Sequence, residues 1–274
     1  MGDVRDDGWG LVDAWFDAAA GLLETIRTTQ RTPIEETSQL AAKAIASGGL
    51  VHLFGTGHSR IPLEEMFPRY GSFPGFNPMA ELSMTFHTEV TGSNGQRQAM
   101  FIERMEGLGE VILSNFHFGP DDVMIVFSAG GTTAVPIEVA MGAKTRGLPV
   151  VVVTAVDHSK GAPAGHSSGT RLLDHADIVI DLGTPVGDSL VQVGDLEQRV
   201  GPGSTISNVA IVNAIKVRTA TILAAEGALP PVLSSGSVVG PDRSKALFDA
   251  AYRDHGNRIA RVLASPTDDE ASVG

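Results

Sequence analysis

Two short segments combine glycines with hydroxyl side chains in a pattern suited to binding an anion. Residues 55–59 read GTGHS and residues 128–133 read SAGGTT, and each follows an apolar, β-branched run. Glycine lets the backbone turn sharply and approach a ligand closely. Free N–H groups at the start of a following helix favour an anion, because they lack intrahelical partners and the helix dipole is positive there. The pair of loops therefore predicts a phosphate ester bound between neighbouring strand ends.

The candidate ligands of this anion are the glycines and hydroxyl residues of the two loops and the hydroxyl pair that begins a late helix. They are Gly55, Thr56, Gly57, Ser59, Ser128, Gly130, Gly131, Thr132, Thr133, Ser204 and Thr205. The alternative is that both loops are ordinary strand-to-helix turns, where glycine, serine and threonine are favoured for backbone reasons alone. Neither loop has the GxxxxGK[ST] pattern of a P-loop, so nucleotide hydrolysis is not indicated. The first also lacks the third glycine of the dinucleotide fingerprint, since Arg60 stands there.

The composition narrows the classes of function. The 274 residues are 42% hydrophobic and 19% charged, enough to bury one substantial core or two small ones. A formal net charge of −12 argues against nucleic-acid binding, which needs a basic face. The absence of cysteine excludes disulfides and Cys-based zinc sites. With an acidic N-terminus and no apolar run of about 18 residues, we expect a soluble, cytoplasmic protein that does not enter a membrane.

Apolar runs followed by helical patterns predict the elements that position the loops. Residues 50–54 and 123–127 are short, mainly apolar runs, and 149–154 has no polar alternation, which is typical of a strand covered on both faces. Residues 177–182 are predicted to form a further buried strand. The stretch from Val123 to Thr154 has about the length of one βαβ unit. The fold class is therefore α/β: a three-layer sandwich with a mainly parallel sheet flanked by helices on both faces.

Helical periodicity predicts helices at both ends of the chain. The first covers 9–30, and the second opens at Thr32 as N-cap with Glu35 completing a capping box. Later helices cover 204–226, which is apolar almost all round, and 243–263. We accordingly divide the chain into N-terminal helices (1–47) that pack on the core or on a partner subunit, an α/β domain (48–264) that carries the two phosphate-binding loops, and a polar tail (265–274).

With these motifs in place, the chain resembles the sugar isomerase (SIS) domain family. The first loop is similar to that family's Gly-x-Gly-x-Ser signature and the second to its Ser-x-Ser-Gly-x-Ser/Thr phosphate loop. Across about residues 10–260 the chain resembles one branch in particular, the UPF0309 proteins. The segments that carry this closer resemblance are Gly57-His58-Ser59, Ile61, Glu64-Glu65, Phe67, Arg69, Ser159-Lys160, His166-Ser167-Ser168-Gly169, Pro185-Val186-Gly187-Asp188 and Ser204-Thr205.

The resemblance implies a flavodoxin-like α/β sandwich that binds phosphorylated sugars. It also implies a homo-oligomer, a dimer or tetramer, with sites near subunit boundaries. The phosphate-binding hydroxyls of the family fall on Ser59, Ser128, Thr132 and Thr133. One position departs from the family pattern: Ala129 replaces the middle serine of the second loop, which removes one donor to the phosphate.

Isomerisation of a sugar needs a base that lifts the proton beside the carbonyl and returns it to the neighbouring carbon. Glu65 is the first candidate, because it lies about two helical turns after Ser59 and belongs to an EEMFPRY run that resembles one in phosphoheptose isomerases. Glu81 is the second candidate. A solvated surface position is the alternative for either carboxylate.

Two histidines are candidate acids. His58 lies inside the first loop, and His166 follows the strand 149–154 in a Gly/Ser-rich loop, where ligands bind in such sheets. The alternative for each is a purely structural hydrogen bond.

We expect no metal, because the family's zinc-binding His is missing from 204–226, and no other cofactor. The sequence thus predicts a phosphosugar isomerase, with an amino-sugar phosphate lyase or etherase and a non-catalytic phosphosugar sensor as alternatives.

Overall fold

A parallel sheet forms the middle layer of the fold. The computed structural model describes residues 9–85 and 95–263. Within them the five-stranded sheet has the order β2-β1-β3-β4-β5, and every neighbouring pair is parallel. Its strands are β1 (Val51–Gly55), β2 (Phe76–Met79), β3 (Val123–Phe127), β4 (Val150–Thr154) and β5 (Ile178–Asp181). A separate antiparallel pair consists of β6 (Ser189–Val191) and β7 (Val200–Pro202).

Helices cover both faces of this sheet. In chain order they are α1 (Trp9–Thr29), α2 (Arg31–Ala46), α3 (Ile61–Met66), α4 (Leu82–Thr85), α5 (Gly95–Ile102), α6 (Leu108–Leu113), α7 (Ala134–Thr145), α8 (Val156–Gly161), α9 (Ser204–Ala225), α10 (Gly236–Val239) and α11 (Pro241–Leu263). Short 3₁₀ turns at Gly57–Arg60 and Leu172–His175 join some of these elements.

Alternation along the central strands builds two cores, one on each face. In β3, Val123, Ile125 and Phe127 pack into the core with α2, α3 and α9, whereas Met124 and Val126 pack with α6 and α7. Side chains of a strand point alternately to opposite faces, so a strand covered on both sides must be apolar throughout. The structure therefore confirms the predicted three-layer α/β sandwich.

The strand order places the two glycine-rich loops side by side. β1 pairs with β2 on one edge and with β3 on the other, and Gly55 lies opposite Phe127. The chain therefore reverses its direction of winding between β1 and β3. The crevice at the carboxyl ends of two such strands is where open α/β sheets bind ligands.

Helix α9 is the main helix on one face of the sheet. Among the helices of the described ranges it alone is long and apolar enough, by length and composition, to cross a membrane, and 44% of its most apolar window is buried inside the protein. Its buried residues include Ile211, Val212 and Ile215, which belong to the core shared with α2 and α3. This burial accounts for the apolar character that the sequence shows over 204–226.

Some predicted boundaries change. α2 begins at Arg31, with Gln30 at the N-cap position and no side-chain cap, so the predicted capping box at Thr32 is wrong. Pro33 lies in the first turn, where its missing N–H costs little, and Glu35 instead pairs with Arg218 of α9 at 2.6 Å. Strand β2 and the β6–β7 pair were not predicted. The predicted polar tail, 265–274, lies outside the described residues.

Candidate functional site

The loops that follow β1 and β3 line one cleft. The cleft has a volume of about 270 Å³, and the residues around it come from both loops and from the segment that contains α5. Those of the loops are Thr56, Gly57, His58, Ser59, Ser128, Ala129, Gly130, Gly131, Thr132 and Thr133; those of the other segment are Gln96, Ala99, Met100 and Glu103. The structure thus brings together the two motifs that the sequence assigned to a phosphate.

The first loop turns tightly over the end of β1. The Ser59 N–H donates to the Thr56 carbonyl at 2.9 Å, which closes the 3₁₀ turn. A Cβ on Gly55 would lie 2.3 Å from the Ser59 carbonyl oxygen, so only glycine fits at the strand end. The loop therefore requires glycine at position 55. The tight turn that Gly55 permits places Ser59 at the cleft.

The second loop is fixed from several sides. Gly131 has φ +62°, and its N–H donates to Ser128 Oγ at 3.1 Å. Its carbonyl accepts from the Leu172 N–H at 2.9 Å, and the Thr132 carbonyl accepts from the Gly165 N–H at 2.9 Å. Because Ser128 Oγ acts as an acceptor here, its own hydrogen stays available to a ligand.

The cleft is rich in hydrogen-bond donors that the protein itself does not use. Within residues 9–85 and 95–263, the backbone N–H groups of Gly130, Thr132 and Thr133 make no hydrogen bond to protein, and neither do the hydroxyls of Ser59 and Thr132. Backbone N–H groups left without partners in a turn form a concave anion site. These donors belong to the loops rather than to the helix that follows.

The start of α7 offers fewer free N–H donors to an anion than the sequence predicted. Its Val135 N–H donates to the Glu103 carbonyl at 3.0 Å, and Pro136 has no N–H to give. Two of the four N–H groups expected at the helix start are therefore absent or occupied. The dipole of α7 still points its positive end toward the loop.

A carboxylate that the sequence did not single out lies in the cleft. Glu103 is half-buried, and its Oε2 accepts a hydrogen bond from Thr56 Oγ1 at 2.6 Å. The Val135 bond to its carbonyl holds the backbone of Glu103 beside the second loop. Thr56 therefore orients this carboxylate, and its hydroxyl hydrogen is not free for an anion.

A second cavity of about 250 Å³ adjoins the cleft and shares His58, Ser59 and Ala129 with it. Its remaining lining consists of Asp188, Pro202, Ser204, Thr205 and Asn208. The volumes of the two cavities are together within the usual range for a small-molecule site. His58, a predicted site residue, lies where they meet.

Ser204 does not offer its donors to an anion. Its N–H and its hydroxyl both donate to the carboxylate of Asp188, at 2.7 and 2.6 Å, and the Gly203 N–H donates to the same group at 3.2 Å. Asp188 thus occupies the start of α9, where a carboxylate is stabilised by the helix dipole. Thr205 borders the second cavity, and Gly203 occupies the N-cap position of α9.

Glu65 lies outside both cavities. It borders a separate surface cavity of about 560 Å³ with Arg69 and Tyr70, and its Oε1 accepts from Asn213 Nδ2 at 2.8 Å while Oε2 pairs with Arg69. Burial alone would raise the pKa of Glu65, but the hydrogen bonds from Asn213 and Arg69 and the positive charges of Arg69 and Lys216 outweigh it and lower that pKa. Glu65 therefore ties α3 to α9 within one protomer.

The other two predicted acid–base residues also lie outside the cleft lining. His166 Nδ1 contacts Ser168 Oγ at 2.8 Å, and its Nε2 is 3.4 Å from Glu138 Oε1. Since Nδ1 accepts from the Ser168 N–H at 3.1 Å, the proton belongs on Nε2, facing Glu138. Glu81 is half-buried just before α4 and does not border the cleft. Among the residues that the structure describes, no group of three or more His, Asp or Glu is placed to hold a metal ion.

Comparisons with known proteins agree with this geometry. The family model described as the SIS domain matches residues 14–155. A UPF0309 protein of Streptomyces avermitilis is 32% identical over 249 residues, which cover 91% of this chain and 96% of the relative. A UPF0309 protein of Listeria monocytogenes is 31% identical, covering 87% of this chain and 95% of its own length. The phosphoheptose isomerase of Francisella tularensis, at 12% identity, has the same fold with a TM-score of 0.51 over 77% of this chain and 97% of its own. This chain belongs to the SIS domain family, within its UPF0309 group.

Proposed function

We propose that this protein binds a phosphorylated sugar between the loops after β1 and β3 and interconverts its aldose and ketose forms. The observation that carries the proposal is a set of donors, unpaired within the described residues, that converge on one cleft beside the oriented carboxylate of Glu103. Phosphoheptose isomerases of Francisella tularensis and Neisseria gonorrhoeae have this fold, with TM-scores of 0.51 and 0.50. At their low identities this likeness supports the fold alone.

The phosphate is the part of the substrate that the loops hold. The N–H groups of Gly130, Thr132 and Thr133 and the hydroxyls of Ser59 and Ser128 are donors, which suit a dianion. Among the described residues no lysine or arginine borders the cleft, so the phosphate is bound there by dipoles and not by a full positive charge. A chain with a net charge of −12 does not attract anions from a distance. Binding of a phosphate therefore requires a local set of hydrogen-bond donors.

Glu103 is placed to act as the base. In the reaction it removes the proton from the carbon beside the carbonyl, and the electron pair moves toward the carbonyl oxygen to give an enediolate. The carboxyl group exchanges this proton with solvent and delivers a proton to the neighbouring carbon, so that nothing is oxidised, reduced or lost overall. The 2.6 Å bond from Thr56 fixes one carboxylate oxygen and leaves the other to face the substrate.

His58 is the candidate for moving protons between the two sugar oxygens. It borders both cavities, so it lies between the donor-rich cleft and the space left for the sugar. Glu65, the base proposed from sequence, is held by Asn213 and Arg69 at a different cavity, and its lowered pKa makes it a weaker base. The geometry of one protomer therefore favours Glu103 over Glu65.

We extend the proposal to a homo-oligomer. The apolar stripe of α1 is wider than the part that the core covers: Ala19, Leu22 and Ile26 are buried, whereas residues beside them on the helix remain exposed. The exposed members are Val12, Phe16 and Leu23. A second copy of the chain packed on this stripe would remove them from water, which is favourable for apolar surface.

The test is a panel of a pentose, a hexose, a heptose and an amino-sugar phosphate, incubated with the pure protein in D₂O and followed by NMR. We expect one member to isomerise and to gain deuterium at the carbon beside the carbonyl. Glu103→Gln should lower kcat by about 10²-fold or more with little change in KM, since it removes a group that acts in the transition state. Glu64→Gln, at an exposed neighbour of Glu65, is the matched control and should leave kcat unchanged.

The outcomes separate the alternatives. Elimination of a substituent in place of isomerisation would identify the lyase or etherase. Binding without turnover in the unmutated protein would identify the sensor, which the loss of a donor at Ala129 favours. A large loss of kcat in Glu65→Gln together with normal turnover in Glu103→Gln would overturn the assignment of the base.

A further inference from the structure

A buried side-chain oxygen at the second cavity has no hydrogen-bond partner among the residues that the structure describes. Asn208 lies on α9, borders this cavity, and is 3% exposed. Within the described ranges its Oδ1 has no hydrogen-bond partner. Leaving a buried amide oxygen unpaired destabilises a protein, so buried polar groups without partners call for an explanation.

The neighbours of Asn208 show why its partner must come from outside the protein. Asp188, the charged group on the same wall, already accepts three hydrogen bonds from Gly203 and Ser204. Ser204 lies one helical turn before Asn208 and gives both its donors to Asp188. Ala129 and Pro202 offer no polar side chain, and within the described ranges no hydrogen bond joins Asn208 Oδ1 to any other residue of the lining.

The position of the cavity indicates which part of a ligand it receives. It adjoins the donor-rich cleft through His58, Ser59 and Ala129, so a molecule whose phosphate occupies the cleft would extend its carbon chain into the second cavity. A carboxamide both donates and accepts hydrogen bonds, and a sugar hydroxyl does the same. The carboxamide of Asn208 is therefore suited to bind a hydroxyl group of the sugar, which inorganic phosphate alone does not have.

We infer that Asn208 is a specificity-determining residue that binds a hydroxyl of the sugar in the second cavity, while the loops bind the phosphate. The inference rests on the proposed phosphosugar site. It adds that this site has two parts, one for the phosphate and one for the sugar. It predicts that a phosphosugar binds more tightly than inorganic phosphate, and that the difference depends on Asn208.

The experiment compares Asn208→Leu with the unmutated protein by isothermal titration with inorganic phosphate and with each of the four panel sugar phosphates. Leucine keeps the approximate volume and removes the polar atoms. The variant should bind the preferred sugar phosphate about 10-fold more weakly, the equivalent of about 1.4 kcal/mol, and should bind inorganic phosphate as before. Its stability in urea should be equal or higher, because no protein hydrogen bond is lost. Asn115→Leu, at an exposed asparagine on the other side of the sheet, is the control.

Each other outcome has a distinct meaning. Equal affinity of Asn208→Leu and the unmutated protein for every sugar phosphate would show that Asn208 contacts no ligand. Sugar phosphates that bind the unmutated protein no more tightly than inorganic phosphate would also overturn the inference, while the phosphate site would stand. Absence of binding by inorganic phosphate and by all four sugar phosphates would instead overturn the proposed function itself.

Discussion

Replacing Gly131 by alanine should damage the phosphate loop, because its backbone conformation and its surroundings both exclude a side chain. At φ +62° the residue is in the left-handed region, which costs an L-residue about 1–2 kcal/mol. A Cβ there would lie 2.8 Å from Ser159 Oγ and 2.8 Å from Thr154 Oγ1. Ser159 and Thr154 are both fully buried, so neither can move away without disturbing the core.

The expected loss of stability follows from these two effects. Forcing an extra methyl group into a packed site costs about 1–3 kcal/mol. Together with the conformational penalty, Gly131→Ala should lower the free energy of unfolding by about 2–5 kcal/mol. It should also weaken phosphate binding, since Gly131 positions Ser128 through their 3.1 Å hydrogen bond.

The neighbouring glycine supplies the control. A Cβ on Gly130 would have His158 Nε2 at 3.6 Å as its nearest atom, an ordinary contact, and its φ is not in the left-handed region. Gly130→Ala should therefore change stability by no more than about 0.5 kcal/mol. The assay is urea unfolding followed by circular dichroism, with free energies extrapolated to water. Equal stabilities of the two variants would refute the reasoning.

Three further results are expected. Asp122→Ala should lower the free energy of unfolding by about 3–5 kcal/mol, because it removes the buried partner of His52, whereas Asp121→Ala at an exposed position should have little effect in the same urea assay. Hydrogen bonds from Arg218 lower the pKa of Glu35 from 4.5 to about 2. The stabilising effect of Glu35 is therefore fully present above pH 4.5 and lost as the pH falls toward 2, so the stability difference from Glu35→Gln should shrink over that range. Light scattering at micromolar concentration should give a mass of at least two chains, and a monomer would contradict the proposed assembly.

The central strands could be predicted from sequence because burial on both faces leaves no room for polar residues. β3 and β4 are continuous apolar, β-branched runs, and their predicted limits agree with the structure to within one residue. β2 was missed because it is short and contains Pro78. A proline cannot donate to a sheet, but it is tolerated here since β2 is an edge strand.

The convergence of the two loops could also be predicted, because the carboxyl ends of parallel strands meet at one edge of a sheet. The carboxylate of the cleft, that of Glu103, could not be predicted from the sequence. Glu103 lies 47 residues from Thr56 in the sequence, and the segment around it has no motif that indicates a functional site. Glu65 follows the first loop as expected, but the short helix α3 turns its carboxylate toward Asn213 of α9. Side-chain direction over so few residues depends on tertiary packing, which sequence spacing does not specify.

The most direct measurement is a crystal structure with the panel sugar phosphate of highest affinity bound. The phosphate should lie between the two loops, within hydrogen-bonding distance of Ser59 Oγ and the Thr132 N–H, with the sugar extending toward His58. Density for the phosphate beside Arg69 and Tyr70, in the cavity that Glu65 borders, would contradict the assignment of the site.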